Sequence, residues 1–252
     1  MDLKAKNILL VRGLAREERH WGQFPAILKE KLPGLNLHFL ELPGVGKKAN
    51  NEAHSHISDY TNELRREWLE LKEKHEGPWG IIAISMGGMI ALDWVDRFRN
   101  DMSALILINS SAGNISPPHH RFSPKAMGMV LKLFFREDYE EREEAILKLT
   151  TNLITIDQDL IKRHASYSAE SPIKRASFLK QMYAASRFNV PEEVTIPLLV
   201  LAAKGDRLAS YKCSKAIARR FDQKLHLHKD AGHDLPLDDP EWVSDNIVDF
   251  LK

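Results

Sequence analysis

Ile81-Ile82-Ala83-Ile84-Ser85-Met86-Gly87-Gly88 decides the fold. Ile81 to Ile84 is a short continuous apolar run, the signature of a strand buried on both faces. From Gly87 to Phe98 the pattern is helical. A buried strand therefore gives way to a helix with no loop between them, and the turn at Ser85 must be tight. Ala83 and Gly87, two residues on either side of the serine, are small enough for the backbone to pass close to itself. Such a turn exposes Ser85 Oγ at the carboxyl end of the sheet, beside a helix N-terminus whose amides favour developing negative charge. The pattern is G-x-S-x-G with Ala83 in place of the first glycine. A competing reading makes Ser85 only a helix N-cap, a position that serine favours.

Working outward, short apolar runs alternate with amphipathic segments. Ile8 to Val11, Leu35 to Leu42 and Ala104 to Ile108 read as strands, and Phe24 to Leu32 and Ile57 to Lys74 as helices. This alternation implies parallel strands joined by right-handed crossovers. From Asn114 to about Pro191 no strand is evident, only helical segments such as Met127 to Phe135, Tyr139 to Leu153 and Arg175 to Phe188. The rhythm resumes with strands Leu198 to Ala203 and Lys224 to His228 and helices Tyr211 to Phe221 and Trp242 to Leu251. The expected fold class is α/β: a mostly parallel, doubly wound sheet with a helical cap inserted between two strands. Residues 1–113 and 192–252 form the core and 114–191 the insertion.

Two later loops decide between nucleophile and N-cap. Lys204-Gly205-Asp206-Arg207-Leu208 follows one strand, and Asp230-Ala231-Gly232-His233-Asp234 follows the next. Asp206 and His233 thus lie at carboxyl ends of strands, on the edge of the sheet that carries Ser85, where open α/β sheets build sites. Alone, Asp206 in a Gly-Asp turn is ordinary turn chemistry and His233 after a glycine an ordinary surface residue. Together with Ser85 they stand in the chain order serine, acid, histidine of a catalytic triad.

These pieces carry a resemblance over essentially the whole chain. Ala83 to Gly88, Gly205-Asp206-Arg207-Leu208 and Gly232-His233-Asp234-Leu235-Pro236 are similar to the motifs of the α/β-hydrolase superfamily, and Leu42-Pro43-Gly44-Val45-Gly46 resembles a turn after an early strand there. The insertion resembles the cap of small esterases of the pimeloyl-carrier-protein methyl ester esterase type. The resemblance implies a serine hydrolase that cleaves a small-molecule carboxylic ester or thioester through an acyl-enzyme on Ser85, with no cofactor. It implies an oxyanion hole of backbone N–H groups from Met86 and Leu14. Relatives commonly carry His-Gly where this chain has Arg12-Gly13, and Arg12 is expected to be structural or, in the alternative, an anion contact. Some relatives carry the acid after the strand before the cap. Here that segment is Ile108-Asn109-Ser110-Ser111, without a carboxylate, which leaves Asp206. The alternatives are C–C bond hydrolysis or other triad chemistry on the same fold, and a non-catalytic binding protein that kept the scaffold.

The bulk numbers exclude other classes. The 252 residues are 43% hydrophobic and 28% charged, with a formal net charge of +1, so no strong field selects nucleic acid or an anionic membrane. Cys213 is the sole cysteine, which precludes a disulfide within the chain and suits a reducing compartment. No apolar run reaches the length of a membrane span. A cytoplasmic protein is expected. Gly44-Val45-Gly46-Lys47-Lys48 lacks the early glycine and the Ser or Thr of a phosphate loop. The pairs His54/His56 and His226/His228 lack a third metal ligand, and no metal is expected. His119-His120 reads as a solvated loop, Arg19-His20-Trp21 as a segment bordering the pocket or packing the next helix. Phe134, Phe135, Phe178 and Tyr183 read as pocket lining or as the insertion's own core.

Overall fold

The computed structural model describes residues 4–134 and 136–252, with the backbone alone at Phe134. Phe135, one of the aromatics considered for the pocket, lies outside the described residues, as does the side chain of Phe134. Six strands form one parallel sheet in the order β2-β1-β3-β4-β5-β6. They are β1 (Asn7–Val11), β2 (Asn36–Leu40), β3 (Trp79–Ile84), β4 (Ala104–Ile108), β5 (Leu198–Ala203) and β6 (Leu225–His228). β1, β3, β4 and β5 are buried along their length, which is why they read as unbroken apolar runs. β2 and β6 are edge strands and partly exposed. β2 stops at Leu40 rather than Leu42 because Leu42 and Val45 fold into the following loop, where Val45 N–H donates to the Leu42 carbonyl.

Alternate residues of each strand serve two separate cores. Leu9, Val11, Ile81, Ala83, Leu105 and Leu107 face α2 (Ile57–Lys72) and α3 (Met86–Arg97), with Trp68 and Trp94 packed edge to face at 5.9 Å. Ile8, Leu10, Ile82, Ile84, Ile106 and Ile108 face Phe24 and Leu28 of α1 (Phe24–Lys31) and Val243 and Ile247 of the last helix (Pro240–Leu251). Between β4 and β5 the chain contains only helices among the described residues: α4 (Pro118–Arg121), α5 (Pro124–Phe134), α6 (Tyr139–Thr150), α7 (Gln158–Glu170) and α8 (Arg175–Arg187). The two ends of this excursion are stitched together. Gly113 N–H donates to the Phe188 carbonyl at 2.7 Å, and Asn114 bonds both the N–H and the carbonyl of Val190. α9 (Lys212–Arg220), α10 (Leu235–Asp238) and α11 (Pro240–Leu251) complete the chain. No helix of the described residues is long and apolar enough to cross a membrane.

β1 pairs with β2 on one side and with β3 on the other, so the chain reverses direction across the sheet at β1. Above that reversal open α/β sheets form a crevice. Here it is narrowed by backbone contact: a Cβ on Gly87 would lie 2.5 Å from the Val11 carbonyl oxygen and 2.6 Å from that of Arg12. Gly87→Ala is therefore expected to cost about 1–3 kcal/mol in chemical denaturation through overpacking against rigid backbone. Gly128→Ala on α5, where an added Cβ meets nothing within 4 Å, is the control. It should be neutral or stabilising by up to about 1 kcal/mol, because alanine is the better helix former.

Candidate active site

Ser85 sits in the turn between β3 and α3 with φ 57° and ψ −120°, a conformation that L-residues rarely adopt. It is held there from both sides. Ser85 N–H donates to the Ile108 carbonyl at 2.9 Å, and Ser110 Oγ donates to the Ser85 carbonyl at 2.9 Å. The Ser85 hydroxyl makes no capping bond to α3. Ser85 thus holds the N-cap position of α3 without capping it, and it lines a cavity of about 350 Å³.

His233 and Asp206 reach the same place from the loops after β6 and β5. His233 also lines the cavity, and its Nδ1 stands 2.6 Å from Asp206 Oδ2. The other oxygen, Asp206 Oδ1, accepts N–H bonds from Leu208 and Ala209, both at 2.8 Å. A carboxylate saturated in this way orients the imidazole with Nδ1–H toward Asp206 and Nε2 free for proton transfer. Burial alone would depress the His233 pKa. The Asp206 charge and hydrogen bond outweigh it, and the ring titrates above the usual histidine value.

Asn109 is the first residue after β4. It is buried with φ 46°, accepts the Ala203 N–H at 2.9 Å and donates to the His233 carbonyl at 2.8 Å. It ties the ends of β4 and β5 to the histidine loop. Asp238 is a second anchor: its carboxylate accepts N–H bonds from Gly232 at 2.7 Å and from Asn152, Leu153 and Ile154 of the insertion.

Leu14 lines the cavity, and Met86 is the first residue of α3. The loop that carries Leu14 approaches the serine so closely that a Cβ on Gly13 would lie 2.9 Å from Ser85 Cβ. Its far side is pinned by Gln181 of α8, which accepts the Ala15 N–H at 3.0 Å. Arg12 forms a buried, two-pronged ion pair with Asp234, Nη1 to Oδ1 at 2.9 Å and Nη2 to Oδ2 at 2.6 Å. Its guanidinium lies 4.9 Å from the Trp21 ring. Burial alone would raise the Asp234 pKa; Arg12 more than offsets this and holds it below the usual carboxylate range. Arg12 thus takes a structural place, joining the β1 loop to the residue after His233.

The Gly46–Lys47 turn is filled by the chain's own Glu41, whose Oε2 accepts the Lys47 N–H at 2.6 Å, so an internal carboxylate occupies the place of a phosphate. His54 bonds Glu63, His226 bonds Asn246 and His228 bonds Asp239, so neither pair converges. His119 and His120 pack on each other in α4. Trp21 packs on Phe24. Phe178 lines the cavity, whereas Tyr183 is 50% exposed beside Arg187, because its face of α8 points to solvent.

One further cluster has no local sign in the sequence. His20, Glu143 and His164 are buried with ligand-type atoms within 4.8 Å of one another. A cation already lies among them: Arg16 Nη1 is 2.7 Å from Glu143 Oε2 and 3.1 Å from His20 Nε2. Burial and the nearby arginine lower both histidines, His164 to about 4, so both rings are neutral and Arg16 supplies the charge.

No curated protein matches the chain. Solved structures share its fold at low identity. An esterase from Thermogutta terrifontis is 19% identical with a TM-score of 0.74, covering 99% of this chain and 90% of its own. A lipase-esterase related protein from Clostridium acetobutylicum ATCC 824 is 19% identical with a TM-score of 0.71, covering 99% and 97%. A 2-hydroxy-6-oxo-6-phenylhexa-2,4-dienoate hydrolase from Rhodococcus sp. strain RHA1 is 15% identical with a TM-score of 0.75, covering 98% and 90%. The family model described as serine aminopeptidase, S33, matches residues 4–240.

The Arg12–Asp234 pair generates a prediction. Arg12→Ala should cost about 3–5 kcal/mol in urea denaturation, because it strands a buried carboxylate. Replacing both partners by apolar residues, Arg12→Met with Asp234→Leu, should recover most of that loss. The Asp234 contribution should be present above the ordinary aspartate pKa and disappear as pH falls through its lowered folded value. With β1 to β6 in one parallel sheet and a family match over nearly the whole chain, the protein belongs to the family described as serine aminopeptidase, S33, and is an α/β-hydrolase enzyme.

Proposed function

We propose that the enzyme cleaves a carboxylic ester or thioester of a small molecule through an acyl-enzyme on Ser85. The observation that carries this reading is the 2.6 Å contact between His233 Nδ1 and Asp206 Oδ2 in a cavity that Ser85 also lines. His233 Nε2 takes the Ser85 proton as Oγ attacks the acyl carbonyl. The backbone N–H groups of Met86 and Leu14 hold the oxyanion of the tetrahedral intermediate. Collapse of that intermediate breaks the bond to the alcohol or thiol, and His233 returns the proton to the departing group. Water, deprotonated by His233, then attacks the acyl-enzyme and releases the acid and free Ser85. No step calls on a cofactor.

Residues 114–191 act in this reading as a cap that roofs the site and selects the acyl chain. Support comes from the cavity wall, to which the insertion contributes Phe122, Val130, Leu133, Ile146, Leu149 and Phe178. This apolar wall favours an acyl chain and strengthens the electrostatics of a reaction carried out against it.

A panel of esters and thioesters of varied chain length tests the proposal. Ser85→Ala and His233→Ala should each lower kcat on the order of 10⁴–10⁶-fold, and their combination should add little. Asp206→Asn should cost about 10⁴-fold through the wrong imidazole tautomer. Near-normal turnover by folded Ser85→Ala would refute the mechanism. The base must be neutral, so kcat/KM should rise with pH through a midpoint above the ordinary histidine value. In Asp206→Asn the residual activity should titrate lower, because burial then acts without the opposing charge.

A further inference from the structure

The cavity wall contains charges that the proposed chemistry leaves unused. Arg12 is spent on Asp234 and Arg16 on Glu143, both in buried pairs. Arg136 and Arg142 also line this largely apolar recess, and Arg136 pairs with Glu141 on the surface.

Arg142 is the cation of this wall placed to meet a substrate. Tyr139, Arg142, Glu143, Ile146, Leu149 and Thr150 all line the cavity at the spacing of one helical stripe, so Arg142 lies on the inward face of α6. It is half-buried, and its guanidinium lies 4.6 Å from the Tyr139 ring, which supports the head-group without neutralising it. Among the described residues no carboxylate pairs with it. The carboxyl end of the same helix touches the histidine loop, where the Thr150 carbonyl accepts the Asp234 N–H at 2.8 Å. Arg142 and Thr150 are eight residues apart, about 12 Å along the axis. Between them the stripe presents Ile146 and Leu149. One helix thus spans from His233 to an available guanidinium across an apolar stretch.

We propose that Arg142 binds a carboxylate at the far end of the substrate, so that the preferred substrates are esters whose hydrocarbon chain ends in a carboxylate. This deepens the hydrolase reading above and rests on it. The chain lies along Ile146 and Leu149 while the fork of the guanidinium meets the planar carboxylate with two N–H donors. Desolvation by the surrounding apolar wall strengthens that contact relative to one in open water.

The test compares monoalkyl esters of dicarboxylic acids with methyl-terminated esters of matched chain length, on the native enzyme and on Arg142→Ala and Arg142→Glu. The native enzyme should prefer the carboxylate-ended series, with an optimum at chains that reach about 12 Å. Arg142→Ala should lower kcat/KM for that series by about tenfold to a hundredfold and leave the neutral series within about twofold. Arg142→Glu should abolish the preference and improve the relative turnover of ammonium-ended esters. Equal turnover of both series by the native enzyme, or an equal loss of both in Arg142→Ala, would overturn the proposal while leaving the hydrolase reading intact. If neither series is cleaved, the hydrolase reading fails, and calorimetric binding to Ser85→Ala decides the proposal separately. Tighter binding of the carboxylate-ended ester, lost in Ser85→Ala/Arg142→Ala, upholds it; equal binding of both esters overturns it.

Discussion

The end of β1 and the turn at Ser85 are in backbone contact, and no side chain fits between them. A Cβ on Gly87 would overlap two carbonyl oxygens of the β1 end, and one on Gly13 would press on Ser85. This approach fixes the strained turn and places the Leu14 loop beside the serine. It also determines where the remaining residues must come from, since His233 and Asp206 converge on the same edge from β6 and β5. Strain at Ser85 persists because neighbours over-determine it, through the Ile108 carbonyl on one side and Ser110 on the other.

Around that contact the site is built from buried charged groups, each bonded to a partner. Asp206 meets His233, Arg12 meets Asp234, and Arg16 meets Glu143. Each pair joins elements distant in sequence, so the β1 loop, the histidine loop and the insertion are linked electrostatically as well as by packing. Removing one member of such a pair is costly because the other remains buried and unpaired. The arrangement leaves Arg142 as a cation in the cavity wall with no described carboxylate partner.

Much of this was legible in the sequence because the informative signals are local. The apolar runs of β1, β3, β4 and β5 are unbroken since both faces are buried, and the serine turn is written in Ala83, Ser85 and Gly87. Element ends were less legible, as at Leu42, where loop hydrogen bonding decides. The helix Gln158–Glu170 is poorly legible because its buried residues, Ile161, His164 and Ala165, include a polar one that blurs the apolar stripe. Outside the serine, acid and histidine motifs, long-range ion pairing could not be read. Arg12 and Asp234 are 222 positions apart, and the bond from Arg16 to Glu143 spans 127. Their charges gave no local sign of a partner. The same limit hid the anchoring roles of Asn109 and Asp238, whose partners include residues 124 and 86 positions away.

The central claim is that Ser85 is an activated nucleophile and not a helix cap. Treating the folded native chain with a fluorophosphonate and mapping the adduct by peptide mass spectrometry tests it most directly. One adduct is expected, on Ser85, formed in the native chain and absent from folded His233→Ala. A folded native chain that gains no adduct, or carries it on another residue, would contradict it.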